Sequence, residues 1–325
     1  MNPIKNHAKA SAPAKVILFG EHFVVYNKPA ILASIDKRIH VDVRVRKDDR
    51  ITIKSNMGFN GSFDLKKRRQ LQTKRFGSFI QPILVAATDA MKAFKANVGL
   101  DINIRSEFPY GVGLGSSAAC SVAIIAAVGA LFGKLSRKKI CDMSLNAEKL
   151  AHRNPSGADS AICTYGGLML FNKNSGAKTI NSKINLQLIV VNSGIKRITG
   201  KLVSSVKQKL ARDADLFTGL ANMSENITMQ ALKAIKDKDY GELGAFMTLN
   251  HSLLRRLGVS TNKLDKLVEI AINNEALGAK MTGAGGGGCI IVLTNNKHST
   301  NKIMKAMRGY GVFVSKVEHR GVVVE

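Results

Sequence analysis

Five glycines fall among the six residues 283–288, directly before the apolar run Cys289-Ile-Ile-Val-Leu293. Glycine has no side chain, so this segment cannot build a core by itself. It does allow the backbone to turn through positive φ and to approach another backbone or a ligand closely. The run that follows is typical of a buried strand. The sequence therefore predicts a crowded loop at the start of a core strand.

A second glycine-rich stretch, Pro109-Tyr-Gly-Val-Gly-Leu-Gly-Ser-Ser117, runs into the apolar segment 116–132, which predicts a buried helix. The beginning of a helix presents free N–H groups and the positive end of the helix dipole. A glycine loop that leads into a helix is a recurrent cradle for phosphate. The spacing is GxGxG, so it matches neither the Walker loop nor the dinucleotide fingerprint. Two such segments predict a protein that binds a phosphorylated ligand.

Length and charge limit the remaining possibilities. The 325 residues predict two domains, and no apolar run is long enough to cross a bilayer. The formal net charge of +26 suits anionic ligands and keeps a nucleic-acid-binding alternative open. Aromatic residues are only 6% of the chain, whereas surfaces that bind single strands use aromatic stacking. We therefore favour small anionic ligands over nucleic acid.

The cysteines predict a reducing compartment. Cys120, Cys141, Cys163 and Cys289 are scattered along the chain and form no metal-ligand spacing. Reduced thiols are typical of a cytoplasmic protein. The first residues show no signal-peptide pattern, because charged residues flank the only apolar segment there.

Apolar periodicity predicts strands and helices in both halves of the chain. Strands are expected over residues 15–25, 30–46, 100–104, 166–171, 186–191, 289–293 and 311–317. Helices are expected over 76–95, 116–132, 137–152 and 262–276, with two or three more across 199–256. The polar segment 172–183 has no apolar period and predicts a domain boundary. The order favours two α+β domains, residues 1–180 and 181–325, over one doubly wound sheet.

Several charged residues stand where phosphoryl transfer could use them, although each has an ordinary interpretation. Lys15 interrupts an apolar strand and could be an edge-strand lysine that faces solvent. Asp159 lies in a turn-like stretch, where aspartate is common. Glu148 and His152 are four residues apart on a predicted helix, the spacing of a routine surface pair. Phosphoryl transfer uses a lysine, a metal-binding carboxylate and a carboxylate near the acceptor, so the residues are informative as a set.

Taken together, these stretches resemble the GHMP kinases, a superfamily of ATP-dependent small-molecule kinases. Four segments carry the resemblance: APAKVILFGEHFVVYNKPA (12–30), PYGVGLGSSAACSV (109–122), EKLAHRNPSGAD (148–159) and KMTGAGGGGCIIVL (280–293). GLGSS after PxGxG is specific for the superfamily. The resemblance implies a ribosomal protein S5 domain 2-like N-terminal domain, a ferredoxin-like C-terminal domain and an active site between them.

The resemblance also implies roles for individual residues. Asp159 matches the catalytic base, and Lys15 matches a lysine near the phosphates whose charge favours the ionised carboxylate. Ser117 and Glu148 match magnesium ligands. The nucleotide-binding positions are Ser106, Gly111, Val112, Gly113, Leu114, Gly115, Ser116 and Ser117. The substrate-side positions are Glu21, His22, Arg197 and Thr199, and the third glycine-rich motif is Gly283, Gly285, Gly286 and Gly287.

Two positions depart from the family pattern. Ala14 replaces the usual glycine before the lysine, and Asn27 replaces a common glycine after the first strand. Neither change removes a reacting group. Asparagine tolerates positive φ better than most residues, so we expect the turn at Asn27 to survive.

The function that the resemblance implies is phosphorylation of a primary alcohol by ATP with Mg²⁺. The segments at 12–30 and 148–159 are most similar to the branch that acts on mevalonate and makes 5-phosphomevalonate for isoprenoid biosynthesis. Two alternatives stay open: another acceptor within the family, such as phosphomevalonate or a sugar, and a non-catalytic nucleic-acid-binding protein. The intact set of Lys15, Glu148 and Asp159 argues against the second. No membrane contact is expected, and a homodimer stays open.

Overall fold

The computed structural model of the chain describes residues 5–66, 77–151, 156–195 and 213–325, together with residues 206 and 208. Two β-sheets organise this part of the chain, and helices pack on each of them. The first sheet with its helices is called the first unit, and the second sheet with its helices the second unit. The protein is therefore a mixed α and β structure, as the sequence predicts.

The first sheet is built around a long antiparallel pair, β1 (His7–Phe19) and β2 (Ala30–Arg46). The remaining strands are β3 (Arg50–Ser55), β4 (Gly61–Asp64), β5 (Gly99–Ser106), β6 (Leu168–Asn172), β7 (Gly176–Thr179) and β12 (Val323–Val324). The main path of the sheet is β12-β1-β2-β5-β3-β4, and β6 and β7 extend it beside β2. Neighbouring strands are antiparallel except for β3 and β5.

Four helices belong to this first unit: α1 (Gly77–Lys92), α2 (Ser116–Phe132), α3 (Arg137–Ala151) and α4 (Ala158–Tyr165). The central one is α2, which contacts the other three helices and also β1 and β2. It is buried on almost every side, because its sequence is apolar all round. This burial fixes the beginning of α2 against the sheet, next to β1.

The second sheet has the strand order of a ferredoxin-like domain. Its members are β8 (Gln187–Asn192), β9 (Gly278–Met281), β10 (Cys289–Leu293) and β11 (Gly311–Lys316). They are arranged β11-β8-β10-β9, all antiparallel. Helices α5 (Ala214–Asp237), α6 (Tyr240–Leu257) and α7 (Asn262–Asn273) connect β8 to β9, and α8 (Lys297–Ala306) connects β10 to β11.

The end of the chain returns to the first sheet. Ala10 of β1 pairs with Val324 of β12. The buried guanidinium of Arg38 donates hydrogen bonds to the carbonyl oxygens of Ser11 and Gly321, at 3.0 and 2.7 Å. These bonds hold the returning segment on β1 and β2, so the last residues pack with the first unit.

One predicted strand ends earlier than its hydrophobic pattern indicates. The strand expected over 15–25 is wrong in its second half, because β1 ends at Phe19. Gly20 and His22 have φ values of 90° and 63°, which turn the chain out of the sheet into a short 3₁₀ helix, Phe23–Tyr26. Asn27 follows with a φ of 62°, so the turn survives with asparagine as expected.

Two further observations concern the helices and the cysteines. Within the described ranges, no helix combines the length and the apolarity needed to span a bilayer. The four cysteines are free thiols. Burial raises the pKa of Cys120 to about 12, so this thiol stays protonated and behaves as a small core residue.

Candidate active site

A cleft of about 930 Å³ is lined by residues of both units. The first unit supplies Lys15, the 3₁₀ helix, the glycine loop before α2, Glu148 and Asp159. The second unit supplies residues that follow β8 and the first two residues of the second glycine loop. A cleft of this size can enclose most of a ligand as large as a nucleotide.

Lys15 and Asp159 form an ion pair in the cleft, with Nζ 3.0 Å from Oδ1. Lys15 is carried by β1, and Asp159 lies in the first turn of α4, which follows Gly157 in a left-handed conformation. The lysine side chain is 4% exposed and the aspartate side chain is 35% exposed. The lysine is therefore enclosed by protein, whereas the carboxylate remains open to a ligand.

The glycine loop before α2 uses positive φ at each of its three glycines. Gly111, Gly113 and Gly115 have φ values of 77°, 96° and 74°, which side chains rarely adopt. A Cβ at Gly115 would also lie 2.6 Å from Cγ of Lys15. The loop therefore passes closely over the lysine and delivers the N-terminus of α2, with its free N–H groups, to the cleft.

Two serines lie at this loop. The N–H of Gly111 donates to Oγ of Ser116 at 3.3 Å, so this serine stabilises the loop. Ser106 lines the same cleft, and its hydroxyl donates to the carbonyl oxygen of Phe108 at 2.7 Å. All the predicted nucleotide-binding residues except Leu114, which is buried, line the cleft.

Glu148 forms no salt bridge with any residue that the structure describes. The residue is buried, and Oε1 has no hydrogen-bond partner among the described residues. Burial, with a further contribution from the nearby Asp159 carboxylate, raises the pKa of Glu148 to about 8. Such a carboxylate is costly to hold ionised without a positive partner.

The donor set at Glu148 fits magnesium. Ser117 lines the cleft together with Glu148 and Asp159. Within the described ranges, no group of three or more histidine, cysteine or carboxylate residues could hold a metal ion. Mg²⁺ is commonly bound by only one or two carboxylates together with substrate phosphates and water, so a carboxylate with one unpartnered oxygen, in the same cleft as a serine, is a suitable set.

The second glycine loop, residues 283–288, faces the cleft only at its beginning. Gly283 lines the cleft with Ala284. The N–H of Gly286 donates to the carbonyl oxygen of Val259 at 2.9 Å. A Cβ at Gly285 would lie 2.1 Å from that oxygen, and one at Gly287 would lie 2.6 Å from the carbonyl oxygen of Ile195. Most of this loop is therefore packed against protein backbone.

Glu21 and Lys280 form a buried ion pair between the two units. Burial raises the pKa of Glu21 and lowers the pKa of Lys280, and the direct contact opposes both shifts. Glu21 is not among the residues that line the cleft. It lies behind the cleft, at the junction of the units.

The other predicted substrate-side residues divide into two groups. His22 lines the cleft, and its Nε2 donates to the carbonyl oxygen of Ala284 at 2.9 Å. This hydrogen bond joins the turn after β1 to the second glycine loop. Arg197 and Thr199 lie outside the described residues, and so does His152.

Sequence reasoning missed two residues at the junction. Lys280 is fully buried within β9, and the signal that singled out Lys15, a charge inside an apolar strand, was available for it. Thr282 follows β9, and its hydroxyl bonds to both backbone groups of Ile17 in β1. A threonine beside a glycine run has no sequence signal for such a long-range contact.

Comparison with known proteins places this architecture in a family. The model for the GHMP kinases N terminal domain matches residues 82–167, and the model for the GHMP kinases C terminal domain matches residues 231–312. A mevalonate kinase of Pyrococcus furiosus is 35% identical over 97% of this chain and 98% of its own length. The chain belongs to the GHMP kinase family.

Other relatives share the same length and fold. A mevalonate kinase of Archaeoglobus fulgidus is 33% identical over 97% of this chain and 99% of its own. The crystal structure of the Methanococcus jannaschii mevalonate kinase covers 97% of this chain and 99% of its own, with 29% identity and a TM-score of 0.84. The L. major mevalonate kinase in complex with R-mevalonate matches over 98% of both chains, with 26% identity and a TM-score of 0.83. The GHMP kinase resemblance predicted from four sequence motifs is confirmed.

Proposed function

We propose that this GHMP kinase transfers the γ-phosphoryl group of ATP to the primary hydroxyl of mevalonate, giving 5-phosphomevalonate for isoprenoid biosynthesis. The observation that carries the proposal is the ion pair of Lys15 and Asp159, 3.0 Å apart, beside the N-terminus of α2 in a cleft shared by both units. The full-length similarity to mevalonate kinases supports the choice of acceptor.

The glycine loop and the beginning of α2 would hold the phosphates. Free N–H groups and the helix dipole favour an anion there. Ser106, which lines the same cleft, is proposed to contact the nucleotide. Because the loop passes over Lys15, a bound triphosphate would lie within reach of the lysine ammonium. The lysine would then stabilise negative charge that develops on the transferred group.

Asp159 is proposed to act on the acceptor hydroxyl. The alcohol oxygen forms a bond to the γ-phosphorus while the bond from phosphorus to the bridging oxygen of ADP breaks. The hydroxyl proton passes to the Asp159 carboxylate, and ADP leaves with the electron pair of the broken bond. The partial exposure of this carboxylate gives an alcohol room to approach it.

Glu148 and Ser117 are proposed to hold Mg²⁺ when ATP is bound. Magnesium neutralises phosphate charge and fixes the geometry of the triphosphate. The unpartnered Oε1 of Glu148 would gain a cation, which removes the penalty of burying this carboxylate. Replacement of Glu148 by glutamine should therefore weaken the magnesium dependence of ATP binding.

The substrate side is proposed to include His22, Glu21, Arg197 and Thr199. His22 lines the cleft directly, whereas the buried Glu21 would act through its position at the junction. The net charge of +26 favours two anionic substrates. The four free thiols are consistent with a reducing, cytoplasmic setting.

An ADP-release assay with several acceptors tests the proposal. Mevalonate should support turnover well above that with phosphomevalonate, galactose or homoserine. If any of those three has a higher kcat/KM than mevalonate, the protein is still a kinase, but mevalonate is not its preferred acceptor. No ADP release with any of them, together with steeply salt-dependent RNA binding, would instead favour a binding protein without catalysis.

A further inference from the structure

Near Lys15, one edge of β1 is hydrogen-bonded by residues of both glycine-rich regions, the loop before α2 and the segment that follows β9. On one side, the segment that carries Lys15 and Ile17 pairs with β2. On the other side, the N–H of Lys15 donates to the carbonyl oxygen of Leu114, at 2.9 Å. Two residues along the same edge, the backbone of Ile17 bonds to Thr282. One short strand segment thus holds the two regions together.

The hydroxyl of Thr282 uses both of its hydrogen-bonding functions on a single residue. It accepts from the N–H of Ile17 at 2.9 Å and donates to the carbonyl oxygen of Ile17 at 3.0 Å. A hydroxyl has one donor and two acceptor positions, so it can replace a neighbouring strand at this point. Thr282 is itself fully buried, which makes these bonds costly to lose.

Neighbouring groups fix Thr282 from its own side. Lys280, two residues earlier, donates to the carbonyl oxygen of Met281 at 2.8 Å and pairs with Glu21. The N–H of Met281 donates to Nδ1 of His251 at 3.3 Å. The backbone directly before the threonine is therefore anchored, and its hydroxyl is a fixed point for β1.

We propose that Thr282 is a positioning residue that holds Lys15 at Asp159 through the backbone of Ile17. This inference rests on the proposed phosphoryl transfer. Lys15 is confined between Gly115, where a Cβ would collide with it, and the carboxylate 3.0 Å away. A small shift of β1 would therefore change the distance between the lysine and the transferred phosphate.

Three variants separate positioning from general stability. Thr282→Val keeps the shape and removes the hydroxyl, Thr282→Ser keeps the hydroxyl, and Thr228→Val is a control in α5. The Thr228 hydroxyl is buried and donates only to the carbonyl oxygen of Ser224 in its own helix. All three should be assayed with ATP and mevalonate below their melting temperatures.

Thr282→Val should lower kcat by roughly ten- to a hundredfold, the cost of a misplaced group in an active site, with a smaller change in the KM for ATP. Thr282→Ser should restore kcat, and Thr228→Val should keep it. Wild-type kcat in folded Thr282→Val, or an equal loss in Thr228→Val, would overturn the proposal.

Amide hydrogen exchange is a second test, and it does not depend on enzymatic activity. Thr282→Val should speed exchange in a peptide covering residues 14–19, whereas Thr282→Ser and Thr228→Val should not. If the wild-type protein fails to phosphorylate any acceptor, the proposed function fails, and this measurement still tests the contact. Unchanged exchange in Thr282→Val would show that the threonine does not hold β1, and it would contradict the positioning role.

Discussion

The two glycine-rich loops have similar compositions and use glycine for different reasons. Gly111 and Gly285 have almost the same φ, 77° and 76°. A Cβ at Gly111 would meet nothing within 4 Å, whereas one at Gly285 would lie 2.1 Å from the carbonyl oxygen of Val259. The loop before α2 is open where a ligand can enter, and the loop after β9 is closed by protein backbone. Glycine therefore serves ligand binding in one loop and packing in the other.

The largest effect should come from removing the carboxylate beside the open loop. Asp159→Asn keeps the shape of the side chain and removes its capacity to accept a proton. The kcat should fall roughly a hundredfold to ten-thousandfold, while ATP binding measured by calorimetry should stay close to that of the wild type. Asp142→Asn, on the exposed surface of α3, is the control. Activity of Asp159→Asn within a few-fold of wild type would rule out its assigned role.

A substitution in the closed loop should lower the stability of the protein. Gly285→Ala forces a side chain into positive φ and against the Val259 carbonyl, and the two penalties together should cost about 3 kcal/mol of the free energy of unfolding. Gly176→Ala is a matched control, because Gly176 also has a φ of 76° and a Cβ there would meet nothing within 4 Å. Urea unfolding of the two variants measures the difference. Equal losses would mean that the Val259 contact contributes nothing.

A buried histidine beside the closed loop should make the stability of the protein depend on pH. Burial lowers the pKa of His251 to about 4, below its ordinary value near 6.5. Between these two pH values the unfolded chain binds a proton at His251 and the folded chain does not. The stability that neutral His251 contributes is therefore lost as pH falls from 6.5 towards 4. Between pH 7 and pH 5, the contribution of His251 to the free energy of unfolding should fall by about 2 kcal/mol. His251→Gln should lose this dependence in urea unfolding, and His298→Gln, whose side chain is 81% exposed, should keep it.

The smallest effect should come from Gly115, a crowded glycine of the open loop. A Cβ at Gly115 would lie 2.6 Å from Cγ of Lys15, and a flexible side chain can move away. Gly115→Ala should lower kcat by about tenfold through displacement of the lysine. Its loss in the free energy of unfolding should resemble that of Gly176→Ala. A stability loss as large as that of Gly285→Ala, with kcat unchanged, would erase the distinction between the loops.

Sequence patterns located the elements whose signal is local. The helix predicted over 116–132 matches α2, Ser116–Phe132, because an apolar segment between glycines leaves few alternatives. The short strand β3 was missed, since its pairing with β5 depends on contacts distant in sequence. Its hairpin partner β4 was missed with it. The helix α4 was missed, and Asp159 in its first turn was placed in a turn-like stretch, because its eight residues begin directly after Gly157.

The candidate site was recognised by motif, but its junction was not. Lys15, Glu148 and Asp159 line one cleft, which the four motifs together led us to expect. No sequence pattern indicated that Thr282 bonds to Ile17 or that Lys280 pairs with Glu21. These contacts join residues more than 250 positions apart, so only the packing of the two units reveals them.

A crystal structure with a non-hydrolysable ATP analogue and mevalonate would test the account most directly. We predict the triphosphate between the N-terminus of α2 and Lys15, with the primary hydroxyl of mevalonate at Asp159 and the loop after β9 unchanged. A nucleotide bound elsewhere, or a triphosphate held by residues 285–288 with Lys15 turned away, would contradict it.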